Sequence, residues 1–274
     1  MSKCNETVRN CKRINRADCA GLQAGYASEL FMDPKELQME SMKTIATIRS
    51  DFPQKFGIPR QSALIEELRA SIIFEKEFRD PNCVMGLEEF SHIWILWEFS
   101  ENKKAGWSPT VIPPRLGGKV HKGVFATRSP FRPNPIGLSC VRLESIEMNA
   151  SLGPILHVLG ADLKDGTPIL DIKPYIRYAD CHPDAVSGFA DKVKDYHLEV
   201  VFPEELLAKL PEEKRHAAVR ILEEDPRPAY QHDPGRRYGT AFAGWDIRYH
   251  VDGKVLTVCE VVPFSPGSFG SATE

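Results

Sequence analysis

No Asp or Glu stands between residues 102 and 143, in a chain of 274 residues with 38 acidic side chains against 35 Lys and Arg and a formal charge of −3. Eight Lys or Arg fall inside that window. Charge that serves only solubility is interspersed with its opposite, so a stretch of one sign points to an anion partner, although a solvated basic face accounts for the run as well. Long apolar runs are missing too. The longest candidate, Ile93 to Phe99, is broken by Glu98, which excludes a membrane-spanning helix of about 18 residues or more. Met1 to Glu6 shows no apolar signal segment, so a cytoplasmic chain is expected.

The seven cysteines, at 4, 11, 19, 83, 140, 181 and 259, form no CxxC pair and read as reduced thiols. Cys4, Cys11 and Cys19 fit no compact zinc knuckle. The eight histidines show neither HxH nor HExxH spacing, so no catalytic metal is expected. GxSxG, Walker and strand-coupled GxGxxG motifs are also missing, and Arg115-Leu116-Gly117-Gly118-Lys119 lacks the Gly-Lys-Ser/Thr that opens a helix onto phosphates. Hydrolase, kinase and Rossmann dehydrogenase readings lose support accordingly.

What is present suggests a mainly β chain. Residues 1–41 are polar and read as a leader. Strand-like runs follow at 43–49, 70–74, 92–99, 123–127, 139–146, 155–160, 168–172 and 197–202. They are short, rich in Val, Ile, Leu and aromatics, and separated by Pro/Gly loops, which argues for an antiparallel sheet or barrel over 42–202. Beyond Pro203 the pattern changes to one or two amphipathic helices, stopped by Asp225-Pro226-Arg227-Pro228. A hairpin about Asp252-Gly253 joins the runs 242–251 and 254–262. Residues 203–274 therefore read as a small α+β domain.

Several segments carry candidate chemistry. Arg128 and Arg132 flank Pro130 and precede Pro133 and Pro135, so they lie on a rigid extended loop instead of a helix. Asn134-Pro135 presents an amide carbonyl at a fixed angle. Amine methyltransferases use such a pair to orient an acceptor nitrogen, but their fourth residue is usually aromatic and here it is Gly137; a turn before the next strand accounts for the same residues. Asp165-Gly166-Thr167-Pro168 is a tight turn or a ligand-binding backbone loop. Asp171, Lys173 and Tyr175 would share a strand face, in a site or a salt bridge. Pro59-Arg60-Gln61 sets a guanidinium beside an amide, suited to a purine edge or a carboxylate, or to a plain surface loop.

Taken together with Gly86 to Leu96, Pro113-Pro114-Arg115-Leu116-Gly117-Gly118, Gly123 to Gly137, Asp171-Ile172-Lys173-Pro174-Tyr175 and Asp225 to Tyr230, these segments make the chain resemble the TrmO family. Its members are the tRNA N6-methyltransferases that act on threonylcarbamoyladenosine beside the anticodon. The resemblance runs from about residue 43 to the C-terminus. It implies a single-sheeted β-barrel that binds S-adenosylmethionine, works as a homodimer, and is followed by a small C-terminal domain. It implies cofactor contacts from Pro59, Arg60, Gln61, Arg128, Leu138, Asp165, Gly166, Thr167 and Pro168. Where the family usually has a His-Gln or His-Lys pair this chain has Ser100-Glu101, which carries the same expectation and a doubt about adenine contacts.

The basic window, with Arg115, Lys119, Lys122 and Arg132, is then expected to grip the anticodon stem-loop of threonine tRNA through its phosphates. Asn134 is expected to orient the acceptor nitrogen at position 37. Two alternatives stay open: a non-catalytic RNA-binding barrel that keeps the cofactor pocket, and methylation of another small acceptor.

Overall fold

The computed structural model describes residues 42–102, 106–116, 118–192, 194–227 and 233–266. The expected leader, 1–41, lies outside them, as do Gly117 and Pro228 to Tyr230 of the quoted motifs. Chain order gives β1 (Ala46–Arg49), β2 (Arg69–Phe74), β3 (His92–Glu98), β4 (Thr110–Val111), β5 (Lys122–Gly123), β6 (Ile136–Asn149), β7 (Gly153–Leu159), β8 (Pro168–Pro174), α1 (Arg177–Asp180), β9 (Glu199–Val201), α2 (Glu204–Leu207), α3 (Glu212–Glu223), β10 (Tyr238–Phe242), β11 (Trp245–Asp252) and β12 (Val255–Pro263).

Six strands close a single-sheeted antiparallel barrel in the order β1-β2-β7-β6-β3-β8, sealed where Ala46 and Thr47 of β1 pair with Ile169 and Pro168 of β8. Alternation along the strands sends one set of side chains inward. Ile93 and Ile95 of β3, Val141 of β6, Leu156 and Val158 of β7 and Ile169 of β8 fill the interior with Ile48 and Ile72. Because neighbouring strands are antiparallel, the end of β3, the starts of β6 and β8, and the exit of β7 meet at one rim.

The second sheet runs β10-β11-β12-β9, with β9 parallel to β12. The run at 197–202, expected with the barrel strands, thus contributes β9 to this sheet. Pro203 and Pro211 precede α2 and α3, whose first turns carry Glu204, Glu205, Glu212 and Glu213 where the helix dipole favours acids. Ala217, Ala218, Ile221 and Leu222 of α3 pack with Phe242, Tyr249, Leu256 and Val258. Phe52, Ile65 and Leu68, from the β1–β2 connection, enter this same core and pin that connection, which holds Pro59 to Gln61.

Two expectations change. The run at 123–127 is only half extended: β5 pairs briefly with β4, and Val124–Ala126 forms a 3-10 turn in which the Thr127 hydroxyl donates to the Val124 carbonyl at 2.9 Å. The run at 242–251 divides, because Ala243 and Gly244 take φ of 50° and 79° and turn the chain from β10 into β11. The hairpin about Asp252-Gly253 joins β11 to β12 as expected.

Candidate active site

At the rim where β3 ends and β6 and β8 begin lies a cleft of about 980 Å³. It is lined by Pro59, Arg60, Gln61, Ser100, Glu101, Arg128, Arg132, Asn134, Leu138 and Thr167, ten residues singled out from the sequence. Trp97, Phe99, Phe125, Phe131, Asp162 and Lys164 complete much of the wall.

Each wall is fixed locally. The Arg60 guanidinium donates to the carbonyls of Asp225 at 3.1 Å and Arg227 at 3.2 Å, so the segment after α3 holds it from behind. Its Nη1 is buried without a hydrogen-bond partner among the described residues, a donor open to a ligand acceptor. Burial and neighbouring Arg115 lower the Arg60 pKa from its ordinary value. Gln61 Oε1 accepts from Arg128, tying the Pro-Arg-Gln loop to the basic loop across the cleft. The Ser62 hydroxyl accepts from the Cys140 amide at 3.1 Å, fastening the same loop to β6.

The Asn134 carbonyl accepts from the Ile136 amide at 2.7 Å, a three-residue turn around Pro135, and the Pro135 carbonyl accepts from Phe99 at 2.8 Å. The Asn134 backbone carbonyl is therefore engaged, while its exposed side chain has no hydrogen-bond partner among the described residues. Leu138 alternates outward on β6 and is 48% exposed. Beneath this segment, Trp97 Nε1 donates to Ser139 Oγ at 3.0 Å and Ser139 Oγ donates to Asp162 Oδ1 at 2.6 Å. Burial is the largest influence on the Asp162 carboxyl and raises its pKa; the Ser139 hydroxyl and the nearby Arg128 charge pull the other way.

Ser100 and Glu101 form a 3-10 turn after β3. Glu101 pairs with Lys164 and with Lys55 at 3.1 Å, and the Lys164 hydrogen bond foremost lowers its pKa. The acid at this departure from the family pattern is thus matched by two local cations.

Of Asp165 to Pro168 only Thr167 lines the cleft; its hydroxyl donates to the Lys164 carbonyl at 2.7 Å. Asp165 accepts from the Ser50 amide at 3.1 Å, Gly166 turns at φ +78° and donates to the Ile48 carbonyl at 2.9 Å, and Pro168 stands opposite Thr47. These three shape the barrel closure next to the cleft. Asp171 and Lys173 form an ion pair at 2.8 Å.

The basic residues also divide. Arg132 lines the cleft and donates to the Thr127 carbonyl at 3.3 Å. Lys119 is exposed and Lys122 partly so, both outside the cleft and without an ion pair among the described residues. Arg115 turns inward: its side chain, 16% exposed, pairs at 2.9 Å with Glu224, 7% exposed, and lies 5.8 Å from the Tyr196 ring. It joins the barrel to the second sheet's helical segment. Trp97, Ser139, Asp162 and Lys164 were not singled out from the sequence; the inward alternation of β3 and β6 was the available signal for the first two.

Two family models match, the tRNA-methyltransferase O N-terminal domain over residues 47–181 and the TrmO C-terminal domain over 195–264. Among curated relatives, a tRNA (adenine(37)-N6)-methyltransferase of Escherichia coli K12 is 40% identical over 215 residues, covering 76% of this chain and 91% of that protein. Its namesake in Eikenella corrodens is 48% identical over 174 residues, 63% of this chain and 97% of that protein. Two crystal structures of TrmO from Pseudomonas aeruginosa superpose with TM-scores of 0.67 and 0.64 at 35% identity, covering 83% and 81% of this chain and 99% and 98% of those. The chain belongs to the tRNA-methyltransferase O family.

Proposed function

We propose that this chain is an S-adenosylmethionine-dependent methyltransferase that methylates N6 of the adenosine at position 37 of tRNA, beside the anticodon. The finer substrate is the threonylcarbamoyl form of that adenosine in threonine tRNA. The observation that carries the reading is the meeting, in one cleft of a family barrel, of Arg60, Gln61, Arg128 and Leu138 with the Asn134 amide, which has no hydrogen-bond partner among the described residues.

The cleft suits the cofactor. The orphaned Arg60 Nη1 answers an anionic or carbonyl acceptor, Gln61 and Arg128 offer a paired polar edge, and Leu138, Phe99 and Thr167 give an apolar wall for a purine and thioether. When bound, S-adenosylmethionine supplies an electrophilic methyl group on a sulfonium. The protein's own contribution is alignment. Asn134, held by the Pro135 turn, orients the acceptor nitrogen; Arg132, Lys119 and Lys122 hold phosphates or the threonyl carboxylate. Arg115 is left out of this grip because Glu224 occupies it.

Ser100-Glu101 motivates a non-catalytic reading, but the pairing of Glu101 with Lys55 and Lys164 offsets its charge within the cleft and supports the enzyme. The protein is expected to act in the cytoplasm as a homodimer, which sedimentation tests. Nucleoside mass spectrometry of a tRNA pool incubated with the protein and S-adenosylmethionine tests the reaction: one added methyl on threonylcarbamoyladenosine supports it, while methyl on another nucleoside or a small acceptor redirects it.

A further inference from the structure

Resting on that N6-methylation reading, we propose that Asp162 accepts the N6 proton of the modified adenosine, held in place by Ser139 and Trp97. The chemistry requires such a group. An adenine N6 that bears a carbamoyl group is a urea-type nitrogen whose lone pair is delocalised into the carbonyl and the ring. It becomes an effective nucleophile as its N–H proton departs, so a positioned base contributes directly to the rate.

The cleft leaves few choices. No His, Cys or Tyr occurs among its described lining residues. Asn134 accepts a hydrogen bond but takes up no proton near neutral pH. Lys55 and Lys164 are cations paired with Glu101, whose own pKa is lowered by them, so it is a poor acceptor. Glu98 lines the cleft as well, but Asp162 is the carboxylate that the Ser139 hydroxyl and, through it, the Trp97 indole hold in place.

Its surroundings are built. Ser139, 1% exposed, donates its only hydroxyl proton to Asp162 Oδ1 and takes the Trp97 indole N–H in return, which fixes the direction of the serine hydrogen bond. The indole is clamped over Gly137, three residues from Asn134. Among the charged groups, Arg128 on the basic loop acts on Asp162; Arg60, Arg132, Glu98 and Glu101 line the same cleft, as does Lys164 on its own connection, already paired with Glu101. Burial outweighs these and raises its pKa above the ordinary aspartate value, which makes it a better proton acceptor than a solvated carboxylate.

The step balances. The N6 proton passes to an Asp162 carboxylate oxygen, the N6 electron pair forms the new N–C bond, and the pair of the broken C–S bond stays on sulfur, leaving a neutral thioether. The carboxylic acid then releases its proton to solvent.

The test combines Asp162→Asn with a titration of the unaltered protein. Single-turnover methyl transfer to threonylcarbamoylated tRNA is expected to fall about 10²–10⁴-fold in the variant, with loss of the acidic limb of the pH–rate profile. S-adenosylmethionine affinity, read by calorimetry, should stay within about threefold. In the wild-type chain, ¹³C-carboxyl NMR should show Asp162 titrating above the ordinary aspartate range at the midpoint of that limb, a result independent of how the variant folds. An acidic limb that persists in Asp162→Asn, turnover within about threefold of wild type, or equal loss of turnover and cofactor binding overturns the assignment. A wild-type chain inert on the modified tRNA instead brings down the N6-methylation reading, and the inference with it.

Discussion

Trp97 lies over Gly137 so closely that a Cβ at position 137 would fall 2.2 Å from the indole. The two stand opposite each other on β3 and β6, both facing inward at the cleft rim, and only a residue without a side chain lets the indole reach Ser139. Gly137→Ala should cost about 1–3 kcal/mol of stability through overpacking. Chemical denaturation reads this as a lower midpoint; an unchanged midpoint would mean the indole moves freely.

Asn134→Ala should lower methyl-transfer turnover far more than S-adenosylmethionine affinity, since its side chain lines the cleft without a hydrogen-bond partner among the described residues. Single-turnover rates beside calorimetric binding separate the two. Equal losses, or none in turnover, would remove Asn134 from the acceptor site.

Lys119→Ala and Lys122→Ala should each weaken tRNA binding and reduce the slope of log affinity against log salt by about 0.7–0.9. Unaltered slopes would end their phosphate role. Arg115 and Glu224 behave differently: Glu224→Ala, which removes the carboxylate that pairs with the largely buried Arg115 guanidinium and with His197, should destabilise the fold by up to about 3–5 kcal/mol and leave the tRNA salt slope unaltered. Thermal unfolding and filter binding on the same preparation decide between the two roles.

That contrast shows where sequence information stops. Barrel strands were legible because alternating Val, Ile and Leu at 92–99, 139–146 and 168–172 encode faces locally; the motif resemblance carried eight of the cleft residues, and the basic window and the Asn-Pro pair supplied Arg132 and Asn134. The engagement of Arg115 was not legible because a basic window records composition, whereas its partner Glu224 lies 109 residues away. Asp162 was passed over for the same reason: its significance depends on Ser139 and burial, neither visible in Ala161-Asp162-Leu163. The division of 242–251 was missed because Ala243 takes a positive φ that its type rarely adopts.

Asp162 also makes a stability prediction. Its folded-state pKa is raised, so its contribution is fully present below the ordinary aspartate value and is lost as pH rises through the folded value. Asp162→Asn, which keeps an acceptor for the Ser139 hydroxyl, should therefore match or exceed wild-type stability at pH 7 while losing activity. Melting temperatures of both proteins from acid to neutral pH test this; a variant less stable at pH 7 would mark the carboxylate as a structural tie.

The central claim meets its most direct test in methyl incorporation from labelled S-adenosylmethionine into threonine tRNA prepared with and without threonylcarbamoyl on the adenosine at position 37. Label in the modified tRNA alone is the predicted result. Label in neither, from protein shown to bind the cofactor, would contradict it and leave a binding barrel in place of an enzyme.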